Sequence, residues 1–122
     1  GAVEILPYLH ERYCLCAASN GPYEQQINRL QKADMLKYFE HCFVSEQMGV
    51  EKPARGFFEK CFAVLPEISP EETMMIGDSL TADIAGGRQM GMKTCWYDRE
   101  QTDRLQEADF TIQNLKLLKE IL

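Results

Sequence analysis

The sequence lacks several things, and each absence removes a class of function. No apolar run approaches the roughly 20 residues that a membrane-spanning helix requires, and the first residues hold no charged stretch leading into an apolar one, so neither a membrane span nor a targeting segment is expected. Positive charge is scarce: 13 basic residues face 19 acidic ones, for a net charge of -6, and no Lys/Arg stripe gathers them. Nucleic acid and anionic membrane are therefore not expected partners, because both demand concentrated positive charge. No C-x-x-C pair occurs among the five cysteines, Cys14, Cys16, Cys42, Cys61 and Cys95. The odd number and the apolar surroundings of four of them point to free, buried thiols in a reducing cytoplasm. Cys14 and Cys16 alternate along an expected strand, but no second Cys or His cluster completes a four-ligand metal set, so they read as small core residues. Repeats, low-complexity segments and an internal linker are also missing. What remains, 122 residues at 45% hydrophobic and 26% charged, is enough for one domain with one core.

Two hydrophobic periods alternate along that domain, as in a β-α-β protein with a largely parallel sheet. A helix is expected over about residues 4–12, provided Pro7 falls in its first turn or at a kink. The short apolar run from Cys14 to Ala18 predicts a buried strand that stops at Ser19-Asn20-Gly21-Pro22, a dense set of turn residues. Tyr23, Ile27 and Leu30 carry helical spacing to Lys32, and a second strand is expected around Cys42–Ser45. Pro53 suits the first position of a helix whose buried face is Phe57, Phe58, Cys61, Phe62 and Leu65. Thr73–Ile76 runs as a strand into Gly77-Asp78-Ser79, a helix follows over about 81–90, and Gly91 is placed to end it in the left-handed conformation. Lys93–Tyr97 and Phe110–Ile112 complete the strands, 98–107 reads as a polar loop, and Leu115, Leu118 and Leu122 mark a closing helix.

Polar groups collect where three of these segments end: Ser19 and Asn20, Lys52, and Asp78 with Asp83. In an open parallel sheet the ligand crevice lies beyond the carboxyl ends of the strands, so groups distant in sequence can converge there. A hydroxyl, an ammonium and two carboxylates suit a divalent cation with a phosphate. Mg²⁺ takes hard oxygen ligands, typically one or two carboxylates, while lysine and backbone N–H groups neutralise phosphate oxygens. Each residue also has an ordinary role open to it. Ser19 and Asn20 can be a turn or cap, Lys52 a solvated loop lysine, Asp78 a turn residue and Asp83 a first-turn helix acid. His10 and His41 lie outside these loops and read as surface or packing residues, and Trp96 as core.

Ser19-Asn20-Gly21 after an apolar strand, Lys52-Pro53 before an aromatic-rich helix, and Ile76-Gly77-Asp78-Ser79-Leu80-Thr81-Ala82-Asp83-Ile84 together resemble the second, third and fourth motifs of the haloacid dehalogenase-like (HAD) hydrolases. The likeness extends to Gly91–Thr94 with its strand and Ala108–Ile112 with its leucine-rich helix, and so covers nearly the whole chain. Val44-Ser45-Glu46 through Lys52-Pro53, with Thr94-Cys95-Trp96, is most similar to the noncanonical pyrimidine nucleotidases. The resemblance implies a Rossmann-like, doubly wound parallel sheet and an Mg²⁺-dependent phosphomonoester hydrolase acting on a small phosphorylated metabolite, with a nucleotide as one option. By the same resemblance, Ser19 would hydrogen-bond the phosphoryl group, with Asn20 and Gly21 beside it. Lys52 would neutralise its charge and hold the nucleophile, Asp78 would ligate Mg²⁺, and Asp83 would support the metal through water or from behind.

One family motif is not in the sequence. HAD hydrolases carry an Asp-x-Asp at the end of a central strand, its first aspartate the nucleophile and its second the general acid and base. No Asp-x-Asp occurs among the 122 residues, and Ser19 has no histidine base in its loop to substitute. The resemblance places that strand between those ending at Ser19 and Asp78, with a cap domain inserted soon after it. The expectation is a carboxyl-terminal portion of a HAD-like core without cap or nucleophile, inactive by itself. It should self-associate or pair with an amino-terminal half. The alternatives are a noncatalytic module that binds phosphate or a partner in the same crevice, and a receiver-like domain. The second fits less well, because here the lysine precedes the Gly-Asp loop.

Overall fold

The computed structural model describes residues 2–102, 104 and 106–122. Its elements alternate as the hydrophobic periods require: α1 (Ala2–His10), β1 (Cys16–Ser19), α2 (Tyr23–Lys32), β2 (His41–Val44), α3 (Ser45–Met48), α4 (Arg55–Val64), β3 (Met74–Gly77), α5 (Gly86–Gln89), β4 (Lys93–Tyr97), β5 (Phe110–Ile112) and α6 (Leu118–Ile121). Three 3₁₀ turns, Leu36–Tyr38, Pro70–Glu72 and Leu115–Leu117, and a π-helical segment, Leu80–Ala85, join them.

All strand pairs are parallel, in two groups. β1 pairs with β2, Cys16 opposite His41 through Ser19 opposite Val44. β3, β4 and β5 pair in that order, with Gly77 opposite Trp96 and Tyr97 opposite Ile112. No pairing joins β1 to β3 among the described residues. Side chains nevertheless form two cores on opposite faces, because successive residues of a strand point opposite ways. Met75 joins Phe43, Phe57, Phe58, Cys61 and Met92 on the α4 face, with Cys16 and Ala18 of β1 packed against them. Its neighbours Met74 and Ile76 turn to the other face, against Ile5 and Leu9 of α1, Cys95, Ile112 and Leu118. Helices thus cover both faces, which is the doubly wound arrangement. The first of these cores includes residues from both strand groups.

Several local expectations are revised. Pro7 lies in the body of α1 rather than its first turn, and the helix is anchored by burial of Ile5, Leu6 and Leu9. Pro53 is not the first helical residue: the Lys52–Pro53 peptide is cis, and α4 begins at Arg55 after Ala54 as N-cap. Ser45 starts α3 instead of ending β2. The expected helix over 81–90 is a π segment followed by one turn of α-helix, while Gly91 does adopt the left-handed conformation at φ 84°. Cys14 is exposed and lies outside β1, so it is no core residue; Cys16 and Cys42 are half-buried, and Cys61 and Cys95 are buried.

Close packing makes two glycines behave oppositely. A Cβ on Gly86 would meet the Phe58 ring at 2.8 Å and Pro53 at 3.2 Å, whereas on Gly56 it would find only Val50, at 3.8 Å. Gly86→Ala is expected to lower unfolding free energy by about 1–3 kcal/mol through overpacking. Gly56→Ala is expected to raise it by about 0.4–1 kcal/mol by restricting the unfolded chain. Urea denaturation of both variants checks the signs.

Burial pushes the Cys61 thiol up to about 12 and the Cys95 thiol up to about 11. In the unfolded chain both should titrate near the ordinary value of roughly 8.5. The folded state therefore retains protons that the unfolded state releases, and this contribution is complete below about pH 8.5 and declines as pH rises toward 11. The urea midpoint should fall between about pH 9 and pH 11 more steeply than in a Cys61→Ala/Cys95→Ala variant under reducing conditions. Parallel slopes would show that the two thiols have no part in alkaline destabilisation.

Candidate functional site at the carboxyl ends of the strands

The loop after β1 is built around Lys52. Asn20 forms a two-point clamp on its backbone: Asn20 Nδ2 donates to the Lys52 carbonyl at 3.0 Å, and the Lys52 N–H donates to Asn20 Oδ1 at 2.9 Å. The loop is also tied to the end of β2, since the Gly21 N–H donates to Ser45 Oγ at 2.8 Å and the Tyr23 N–H to Glu46 Oε1 at 2.9 Å. Gly21 sits at φ 136°, a conformation that favours glycine. Held this way, Lys52 sends its side chain inward to 8% exposure. Its Nζ donates to the Ala18 carbonyl at 2.8 Å and to Asp83 Oδ1 at 2.6 Å. One ammonium thereby joins the end of β1 to the segment following β3.

Asp83 is delivered by the π-helical segment. Ser79 caps it: Ser79 Oγ accepts from the Ala82 N–H at 3.0 Å, and the Ser79 carbonyl accepts from both Asp83 and Ile84 N–H at 3.1 Å. The Ser79 N–H donates to Asp83 Oδ2 at 3.2 Å, so both carboxylate oxygens of Asp83 are engaged. Gly77 is required beneath them, because a Cβ there would overlap the Asp83 carboxylate. The buried pair carries further hydrogen bonds at both ends, from Lys52 Nζ to the Ala18 carbonyl and from the Ser79 N–H to Asp83 Oδ2, which is the condition under which an ion pair persists away from water.

Asp78 occupies a different environment. Its carboxylate is exposed at the rim, and two residues from β4 and its following turn hold the residue at both ends. Trp96 Nε1 donates to the Asp78 carbonyl at 3.1 Å, and Arg99 Nη2 donates to Asp78 Oδ2 at 3.1 Å. Arg99 also lies over the Tyr97 ring, 5.4 Å from its centroid. An open groove of about 460 Å³, lined in part by Gly21, Ser45, Glu46 and Val50, borders the Asn20–Lys52 loops.

The structure thus brings Lys52 and Asp83 into contact and sets Ser19 next to the Ala18 carbonyl that Lys52 holds. The Ser19 hydroxyl records no hydrogen bond among the described residues. The Asn20 amide and the Gly21 N–H, expected beside the phosphate, hold Lys52 and Ser45 here. Among the described residues no group of three or more acidic, His or Cys side chains is arranged to hold a metal ion. As a donor set for Mg²⁺ the site offers one exposed hard oxygen ligand, Asp78, while Asp83 is committed to Lys52 and Ser79. That fits an ion that takes one or two carboxylates and fills its other positions from water and phosphate.

Two site residues were not foreseen from sequence, Trp96 and Arg99. Parallel pairing carried the signal for the first, since β4 in register with β3 sets Trp96 opposite Gly77, one residue before Asp78. Arg99 depends on the turn after β4, where the Asp98 N–H donates to the Ile112 carbonyl and Asp98 Oδ1 accepts from Thr102 N–H and Oγ1.

Parallel strands under helices on both faces, with the polar site at the strand carboxyl ends, define a Rossmann-like α/β protein. The family model for haloacid dehalogenase-like hydrolases matches residues 1–91, and the chain belongs to that family. The HAD-hydrolase YfnB of Bacillus subtilis is 36% identical over 124 residues, an alignment covering all of this chain and 53% of YfnB. The pyrimidine 5'-nucleotidase PynA of Streptococcus pneumoniae is 41% identical over 114 residues, covering 93% of this chain and 48% of PynA. The crystal structure of YfnB bound to magnesium superposes with a TM-score of 0.96 at 35% identity, over 100% of this chain and 54% of that one. A HAD phosphatase from Thermococcus onnurineus gives 0.90 at 28% identity, over 98% and 55%. The chain spans about half the length of the curated relatives it matches. No helix among the described residues is long and apolar enough to cross a membrane.

Removing one partner of a buried pair leaves the other charge uncompensated, which costs about 3–5 kcal/mol. Asp83→Ala is accordingly expected to lose that much stability in urea unfolding, and Asp78→Ala, at an exposed pair, about 0–1 kcal/mol. Equal losses would show that the Lys52–Asp83 contact does not support the fold.

Proposed function

We propose that this chain provides the phosphate- and cation-holding half of a phosphomonoester hydrolase site, completed by a strand that carries the nucleophilic carboxylate between β1 and β3. The observation that carries this is Lys52: its buried ammonium links the end of β1 to Asp83 beyond β3, although no backbone pairing joins those strands among the described residues. A lysine clamped by Asn20 and balanced by Asp83 is a fixed positive charge at the crevice where a phosphoryl group would sit.

In this reading Lys52 holds the attacking carboxylate and offsets charge on the phosphoryl oxygens, and Ser19 donates its hydroxyl to one of them. A carboxylate oxygen attacks phosphorus as the bond to the leaving oxygen breaks, and the leaving oxygen takes up a proton. Water then hydrolyses the acyl phosphate, releasing inorganic phosphate and regenerating the carboxylate. Mg²⁺ on Asp78, when bound, supplies charge neutralisation of the phosphoryl oxygens. Asp83 acts behind this set by keeping Lys52 in place. The relatives named as pyrimidine nucleotidases, including YjjG of Escherichia coli at 29% identity, support a nucleoside 5'-monophosphate as substrate class. A cytoplasmic location accords with the free thiols, and the partner that fits is a segment bearing the Asp-x-Asp strand, or a second copy lending an edge.

The test is Mg²⁺-dependent hydrolysis of an aryl phosphate by this chain alone and mixed with an amino-terminal segment of a HAD phosphatase bearing the Asp-x-Asp strand. Turnover is expected only in the mixture, falling by at least about 10²-fold in Asp78→Asn and in Lys52→Ala. Turnover by the chain alone would place the nucleophile within these 122 residues. Silence in a folded mixture would instead support a noncatalytic phosphate-binding module.

A further inference from the structure

The Asp78 carboxylate, the one hard-oxygen ligand the site offers at its rim, already has a cation on it. Arg99 Nη2 stands 3.1 Å from Asp78 Oδ2, with the two side chains 65% and 57% exposed. This is a placed contact, not a stray surface pair. The turn carrying Arg99 is anchored on both sides by Asp98, whose backbone N–H bonds to Ile112 and whose carboxylate receives two hydrogen bonds from Thr102. The guanidinium rests against the Tyr97 ring, and Asp78 is fixed from behind by the Trp96 indole on its carbonyl. Both partners are therefore presented to each other by paired strands, β3 and β4.

We propose that Arg99 is a displaceable counter-ion of the cation site: it neutralises Asp78 while no metal is bound and competes with the metal for the same carboxylate. This rests on the reading of Asp78 as the cation ligand. The competition is weak because the pair is solvated and screened. A divalent ion, with twice the charge on a small radius, displaces the guanidinium; a monovalent ion has no such advantage. Arg99 then acts as a positioning and selectivity residue, setting the concentration at which a divalent cation takes the site.

The experiment is Mn²⁺ binding to the whole chain, Mn²⁺ standing in for Mg²⁺ because it also prefers oxygen ligands. Bound ion is read from the loss of the free-ion electron paramagnetic resonance signal, and its location from paramagnetic quenching of Trp96, the only tryptophan. Arg99→Ala is expected to bind Mn²⁺ about two- to fivefold more tightly than the unaltered chain, the scale of a lost exposed pair. That advantage should shrink as NaCl rises from about 20 mM to about 500 mM, and Arg99→Lys, which retains the charge, should fall between the two. Asp78→Asn should abolish the quenching. Unchanged or weaker binding in Arg99→Ala, with binding still lost in Asp78→Asn, would overturn the counter-ion role and leave Asp78 as cation ligand. Binding indifferent to Asp78→Asn would overturn both.

Discussion

The contact on which the rest of this structure depends is the ion pair between Lys52 and Asp83, both buried and 2.6 Å apart. An ammonium and a carboxylate away from water are tolerable only with each other and with further hydrogen bonds. Here those come from the Ala18 carbonyl on one side and the Ser79 N–H on the other. The local features around the pair follow from that need. Asn20 clamps the Lys52 backbone, Gly77 leaves room for the Asp83 carboxylate, and Ser79 caps the segment that brings Asp83 in. Remove the pair, and the two strand groups keep the apolar contacts of Phe57, Phe58 and Met75 but lose their polar link at the carboxyl ends.

The two carboxylates that follow β3 are thereby separated in role by environment alone. Asp83 is enclosed, with both oxygens engaged by the protein. Five residues earlier, Asp78 stands in solvent, its carbonyl fixed by Trp96 and its carboxylate facing the exposed guanidinium of Arg99. One acid is structural support for a lysine, and the other is available to an exchangeable charge. Fold similarity by itself would not set that division; the contacts do.

Much of this was legible in the sequence because it follows from periodicity and turn chemistry. Apolar runs ending in Ser19-Asn20-Gly21 and in Gly77-Asp78-Ser79 marked strands that stop at polar loops, and the structure ends β1 and β3 there. The Phe57, Phe58, Cys61 spacing marked the buried face of α4. What was not legible depends on long-range geometry. Nothing local shows that the Asn20 amide binds the backbone 32 residues away, or that Arg99 reaches back 21 residues to Asp78. Pro53 misled because its position suits a helix start, whereas Pro53 and Ala54 both precede α4, which begins at Arg55, while Lys52 turns its side chain inward. Cys14 misled because an apolar run reads as buried throughout, although only its second half enters the sheet.

The wide turn at Leu80–Ala85 has a consequence of its own. With Ser79 accepting from both Asp83 and Ile84, this segment contains one residue more than an α-helical turn would hold. Deleting any one residue between Ser79 and Asp83 would restore ordinary winding and swing the carboxylate by about 100° around the helix axis, away from the lysine. The segment is thus a length gauge: the number of residues between Ser79 and Asp83, more than the side chains of Leu80, Thr81 and Ala82, sets where the carboxylate points.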